Sequence, residues 1–219
     1  TKDQRQVGKV QELALGFLGG PGAFATFGRI YGVRLTDAEV ARAVNGWRRA
    51  NPWAMQHGQT LEAAYTRAMR YPGKEFPAGR VVYLFDGQHL WYALPSGRVL
   101  CYPFAKLEED GISYAKASWK PAADAKEWPR ARLWRGLACE NITQATANDI
   151  LRHSLRALEP HGVVLHIHDE VVVETAEPDR VRELMQQVMT TAPDWAQGLP
   201  LAIGEAPAWT AEVMERYGK

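Results

Sequence analysis

Cysteine is nearly absent from this chain. Cys101 and Cys139 are its two thiols, too few for a disulfide framework and without the paired spacing of a zinc site. A reducing, cytoplasmic setting is the default expectation. No apolar run approaches the roughly 18 residues of a membrane span, so no membrane partner is expected. Thr1-Lys2-Asp3-Gln4-Arg5 has nothing of a signal peptide. Internal repeats and low-complexity tracts are also missing. Net charge is almost nil, +1 over 219 residues, which by itself points to no class of partner. Its distribution is uneven. Residues 1–60 carry 8 Lys/Arg against 4 Asp/Glu, and residues 160–219 carry 4 against 10. Such a split suits an anionic ligand at one end and a cation at the other, although ordinary surface variation produces the same asymmetry.

Elsewhere the composition is that of an ordinary globular chain, 46% apolar and 23% charged. Residues 3–18 read as a helix, ended by Gly19-Gly20-Pro21-Gly22. Thr36 with Glu39 forms a capping box that opens a helix to about Arg49. Asn51-Pro52 breaks it, and another helix runs to about Arg70. The period then becomes alternating. Arg80–Phe85, Gln88–Leu94 and Arg98–Phe104 read as a β-meander with turns at Asp86-Gly87 and Pro95-Ser96-Gly97. Residues 105–132 read as a surface connection with a strand near Ile112–Ser118. A long helix is expected from Glu140 to Leu158. After it comes a hairpin, then an amphipathic helix from Pro178 to about Thr191 that buries Val181, Leu184, Met185, Val188 and Met189. A strand at Leu199–Ile203 and a segment Trp209–Tyr217 close the chain. The expected fold class is α+β. A helical part spans 1–75, a meander and connection 76–135, and a helix-plus-hairpin part 136–219.

Three constellations carry chemistry. The first is the hairpin Gly162-Val-Val-Leu-His-Ile-His-Asp-Glu170 with Val171-Val172-Val173-Glu174 returning. Its tip presents Asp169 and Glu170, with His168 and His166 before them. Exposed acids at a strand end can hold Mg²⁺ together with phosphate oxygens and water. A zinc hydrolase using His166, His168 and Asp169 is the competing reading. The remaining histidines, His57, His89, His153 and His161, supply no second paired motif for it.

The second constellation is Arg5, Lys9, Leu13 and Phe17, spaced by four. On a helix these form one stripe, rising roughly 6 Å per step. Cations at one end suit phosphates, and an aromatic ring at the other suits a base. Gly16, Gly19 and Gly20 would admit a close neighbour at the aromatic end. A solvated basic helix start with a core-facing Leu/Phe pair explains the same spacing. The third constellation lies in Glu140-Asn141-Ile142-Thr143-Gln144-Ala145-Thr146-Ala147-Asn148. Here Glu140, Gln144 and Asn148 recur every four residues. That face could read a nucleic-acid backbone or minor groove, or simply be solvated.

Taken in order, Arg5-x-x-x-Lys9, Leu-x-Leu-Gly-Phe-x-Gly-Gly, Glu-Asn-Ile-Thr-Gln-Ala and His-Asp-Glu resemble the C-terminal part of the family A DNA polymerases, the bacterial polymerase I class. Leu94-Pro95-Ser96-Gly97-Arg98 and the stretch from Pro200-Leu201-Ala202 to Arg216-Tyr217-Gly218-Lys219 look like the phage and prophage branch. The resemblance covers nearly the whole chain. It implies a fingers helix in which Arg5 and Lys9 contact the dNTP triphosphate and Leu13 and Phe17 lie toward the nascent base pair. It implies that Asp169 binds catalytic Mg²⁺, that Glu170 accompanies it and that His168 lies near the primer end. Gln144, with Asn141 and Asn148, would contact the primer–template. The implied reaction is in-line attack of a primer terminal hydroxyl on the α-phosphate of a dNTP, with two metals stabilising the attacking and leaving oxygens.

Family members usually have an aromatic residue where this chain has Leu13, and Tyr where it has Phe17. Their second essential carboxylate lies upstream of the fingers helix, in an Asp-x-Ser-x-x-Glu-like motif not found in these 219 residues. The chain by itself is therefore expected to be inactive and to need an N-terminal polymerase part as partner. The resemblance places it in the cytoplasm of a bacterial or phage-infected cell. The alternatives are a non-catalytic primer–template binding module and one half of a split polymerase.

Overall fold

A computed structural model describes residues 1–116 and 128–204. The chain is α+β, with six α-helices and antiparallel sheets among these residues. Two compact units divide it, Thr1–Gln144 and Ala145–Lys219.

The first unit opens with four helices, α1 (Lys2–Leu15), α2 (Pro21–Ile30), α3 (Asp37–Ala50) and α4 (Pro52–Arg70). Helix α1 buries Val10, Ala14 and Leu15. It stops two residues earlier than Phe17, and Leu18 closes the turn in the left-handed region at φ 64°. Gly19-Gly20-Pro21-Gly22 is therefore not the terminator that its composition suggests. Gly20 is the N-cap of α2 and Pro21 its first residue, where a missing N–H costs nothing. Helix α2 is an addition to the expected elements. For α3 the capping box is present: Thr36 Oγ1 accepts from the Glu39 N–H, and the Thr36 N–H donates to Glu39 at 2.8 Å. Helix α4 starts at Pro52, as Asn51-Pro52 implies.

Helix α4 lies against a four-stranded sheet in the order β1-β2-β3-β4, formed by Glu75–Ala78, Val81–Phe85, Leu90–Ala93 and Val99–Tyr102. The last three are the expected meander. Strand β1 precedes the expected meander and contains Pro77. It is the edge strand, where a proline is tolerated. Alternation decides the core face. Val81, Tyr83 and Phe85 point inward, paired with Leu90 and Tyr92 of the next strand. A file of rings then crosses the unit. Tyr65 meets Tyr83 at 5.8 Å between centroids, Tyr83 meets Tyr92 at 6.0 Å, Tyr92 stacks on Tyr102 at 5.2 Å, and Tyr102 meets Tyr114 at 5.0 Å. Burial raises the pKa of each of these phenols, Tyr92 to about 12.

The described residues 105–116 and 128–133 form more than a surface connection. They contain a second antiparallel sheet, β5 (Lys106–Glu108), β6 (Gly111–Ala115) and β7 (Arg130–Leu133). Buried Ser113 joins Glu108 and Arg130 in one network, with its Oγ 2.5 Å from the carboxylate and 2.6 Å from the guanidinium. The expected strand at Ile112–Ser118 overlaps β6, and its last two residues lie outside the described ones.

Helix α5 (Arg135–Leu158) starts five residues earlier than expected. A 3₁₀ turn, Glu159–His161, follows it. The second unit contains the hairpin β8 (Val163–Ile167) and β9 (Glu170–Val173), then α6 (Pro178–Thr190). On α6 only Val181 is fully buried; Leu184, Met185, Val188 and Met189 are half-buried. Leu199–Ile203 is not a strand. Pro200 lacks the N–H a ladder needs, and no strand pairs with the segment among the described residues. Trp209–Tyr217 lies outside the described residues.

Candidate nucleic-acid interface

In the first unit, Arg5, Lys9 and Leu13 all lie exposed along α1. Leu13 retains 38% of its surface, so the stripe is not a core face at that point. The core face of α1 is the neighbouring one, through Val10 and Ala14. Lys9 is held over the ring of Tyr31, its Nζ 4.7 Å from the centroid. Such a contact orients an ammonium while leaving its charge intact. Tyr31 caps the C-terminus of α2, the helix missed from sequence, so this partner was missed with it. Glu12, on the same helix, accepts from the Trp47 indole N–H at 2.9 Å.

Phe17 is half-buried, in the turn after α1. Two glycines let other elements close on that turn. A side chain at Gly58 of α4 would strike Leu18, and one at Gly136 of α5 would strike both the Phe17 carbonyl and the Trp134 ring. The aromatic end of the stripe therefore abuts the first turn of the helix that bears the polar face. Arg48 donates to the Gly19 carbonyl at 3.1 Å and holds the other side of the same turn. Neither Arg48 nor Trp134 belongs to a motif legible in the sequence. Their positions depend on contacts far apart in the chain.

Helix α5 is oriented by two ties. Arg135 pairs with Glu62 of α4 at 3.5 Å. The Asn141 amide donates to the Tyr102 hydroxyl at 3.0 Å, which connects the helix to the file of tyrosines. Ala138, Cys139 and Ile142 are buried. Gln144 and Asn148 are exposed, and Glu140 is half-exposed. Gln144 donates to the Glu140 carboxylate at 3.2 Å. Asn141 thus differs from the other two amides: its side chain is already committed to the meander.

In the second unit, Ile167 pairs with Glu170, leaving His168 and Asp169 as a two-residue turn. Glu170 is therefore the first residue of β9, and Asp169 alone of the two acids is at the tip. His168 has φ 54°, a left-handed conformation that is uncommon outside glycine, though histidine is among the side chains enriched there. Strain of this kind concentrates at functional sites. His166, on β8, and His168, in the turn, do not share a strand face. His166, His168, Asp169 and Glu170 are all exposed. Val164 is the extra residue of a bulge, between the pairs Val163–Val173 and Leu165–Val172. Among the described residues, no group of three or more His, Cys, Asp or Glu is placed to hold a metal. The zinc-hydrolase reading therefore has no ligand set among them. Asp169 and Glu170 remain as two adjacent exposed carboxylates at the end of the hairpin.

The chain is α+β, with a cation-to-ring stripe in its first unit and an acid-tipped hairpin in its second. The comparison with known proteins is more particular. The chain is 34% identical over 200 residues to the DNA polymerase of Bacillus phage SP02, a match that covers 90% of this chain and 31% of that protein. It thus spans about a third of the length of that relative. No family model and no solved structure matches the chain. Among the described residues, no helix is long and apolar enough to cross a membrane.

Proposed function

We propose that these residues are the fingers and the C-terminal part of the palm of a family A DNA polymerase, acting in template-directed DNA synthesis. The observation that carries this reading is the 34% identity to a phage DNA polymerase over 90% of the chain. The order of the stripe, the polar helix and the acid tip supports it. In this reading Arg5 and Lys9 bind the triphosphate of an incoming dNTP, and Tyr31 keeps the Lys9 ammonium on the α1 surface. Leu13 and Phe17 lie toward the nascent base pair. Gln144 and Asn148 contact the primer–template, while Asn141 is placed to set the rotation of α5 through Tyr102. Asp169 is the Mg²⁺ ligand, with Glu170 beside it, and His168 lies near the primer end. The bound metal supplies charge neutralisation at the phosphates. Two adjacent acids make only part of such a site, so the 219 residues by themselves bind DNA but do not extend it.

The test is primer–template binding measured against salt. Electrostatic binding gives a steep linear fall of log K with log salt. In the same assay, Arg5→Ala with Lys9→Ala weakens dNTP capture on the bound primer–template by about tenfold or more, the scale of two charge-assisted phosphate contacts. Salt-independent binding, or dNTP capture indifferent to both changes, contradicts the reading. A second reading, a non-catalytic binding module or one half of a split enzyme, is favoured by the small donor set at the hairpin. It shares the binding prediction and differs in one respect: Asp169→Ala leaves the biological role intact.

A further inference from the structure

Trp134 belongs to none of the three constellations. It is the residue between β7 and α5, and its carbonyl accepts from the Ala138 N–H at 3.0 Å, which opens the helix. A tryptophan there would ordinarily be folded into the core, as Trp47 is. Trp134 instead keeps 46% of its surface in solvent. Nor is the ring loose. It lies over Gly136, in the space a side chain would occupy, at the place where Gly136 also meets the Phe17 carbonyl. One large aromatic face is thus fixed, exposed and adjacent to the aromatic end of the cation-to-ring stripe. The polar face of the same helix begins within two turns, at Glu140 and Gln144.

We propose that the Trp134 indole, seated over Gly136 beside Phe17, is a stacking surface for an unpaired nucleobase of the template strand. This rests on the polymerase reading. A flat π-face between groups suited to phosphate and backbone is how proteins hold single-stranded nucleic acid without reading its sequence. The surroundings argue for a base over an apolar peptide. Along the two elements Arg5, Lys9 and Gln144 are exposed and Glu140 half-exposed, with Leu13 a single exposed apolar side chain among them. A peptide groove would need a contiguous apolar lining. Gly136 is the positioning residue, since any larger side chain would displace the ring.

The experiment compares two DNAs bound by the full chain: a duplex with a single-stranded template overhang, and the same duplex blunt. The wild-type chain prefers the overhang. Trp134→Ala loses that preference by about tenfold, the scale of one base–aromatic stack, and binds the blunt duplex within about twofold of wild type. Trp134→Phe keeps a ring and most of the preference. Equal behaviour of wild type and Trp134→Ala on both DNAs overturns the proposal while leaving the polymerase reading standing. Absence of salt-sensitive binding to either DNA overturns both. Should Trp134→Ala fail to fold, a fluorescent purine analogue at the first unpaired template position decides the matter with wild-type chain. Quenching on binding supports stacking, and unchanged emission overturns it.

Discussion

The meander of the first unit and the hairpin of the second are both antiparallel, yet they are built in opposite ways. In the meander the inward face is closed: Tyr83 has no exposed surface, and neither has Leu90. In the hairpin, Val164, Leu165 and Ile167 each keep more than half of theirs, at 58%, 51% and 51%. A two-stranded sheet that buries so little is marginal by itself. The meander therefore serves as scaffold, and its rigidity reaches α5 through Tyr102 and Asn141. The hairpin presents a tip. Its left-handed His168 and its exposed acids cap two strands that bury little.

Breaking the scaffold should have the largest effect. Tyr83→Ala empties a fully buried aromatic site and should cost about 3–5 kcal/mol, read from denaturant unfolding. Tyr83→Phe provides the contrast. The Tyr83 hydroxyl is buried without a hydrogen-bond partner among the described residues, so its removal should be neutral or stabilising by up to about 1 kcal/mol. A large loss in Tyr83→Phe would show that the hydroxyl has a partner. Next comes Gly136→Ala, which sets a methyl group against the Trp134 ring and the Phe17 carbonyl. Overpacking of this kind costs about 1–3 kcal/mol, and a thermal melt measures it.

On the hairpin, His168→Gly removes the left-handed penalty and should stabilise the turn by about 1 kcal/mol. Slower amide exchange in β8 and β9 would report it, and unchanged exchange would deny that the turn is strained. The smallest effect is in acid. Asp86 accepts from the backbone N–H of His89, from the Trp91 indole and from the Gln88 N–H, and these bonds hold its pKa down to about 2. A lowered carboxylate pKa gives stability that is full above the unfolded value of about 3.9 and is lost as pH falls through about 2. The Asp86 turn should therefore loosen over that interval, with a change in Trp91 fluorescence that Asp86→Asn abolishes. At alkaline pH the buried tyrosines act in the opposite direction. Their raised pKa values mean that stability falls as pH climbs above about 10.

Local signals accounted for the parts of the fold that were legible in sequence. Thr36 with Glu39, Asn51-Pro52, Asp86-Gly87 and the valine-flanked His-Asp-Glu each act within a few residues, and the structure has an element boundary at each. Misreadings arose where a residue has two meanings. Gly19-Gly20-Pro21-Gly22 reads as a stop, but Pro21 is also the best first residue of a helix. Pro77 argues against a strand except at an edge, which is where β1 lies. Strands β5 and β7 are only three and four residues long and half or more charged, too short for an apolar stripe to stand out; their register against β6 sets them, Leu107 opposite Ile112 on one side and Ile112 opposite Leu133 on the other. The site followed the same rule. The stripe and the acid tip were visible as spacing and motif. The Asn141–Tyr102 bond joins residues 39 apart, and the seat of Trp134 depends on a glycine and a distant carbonyl. No local pattern announces such contacts.

Primer extension tests the central claim most directly. The 219-residue chain and its Asp169→Ala variant are each given a recessed duplex, Mg²⁺ and all four dNTPs, and binding of the same duplex is followed in parallel. The account predicts salt-sensitive binding by both and extension by neither. Efficient extension by the wild-type chain would contradict it, because the site would then be complete; extension that also survives Asp169→Ala would remove the role of the hairpin tip as well.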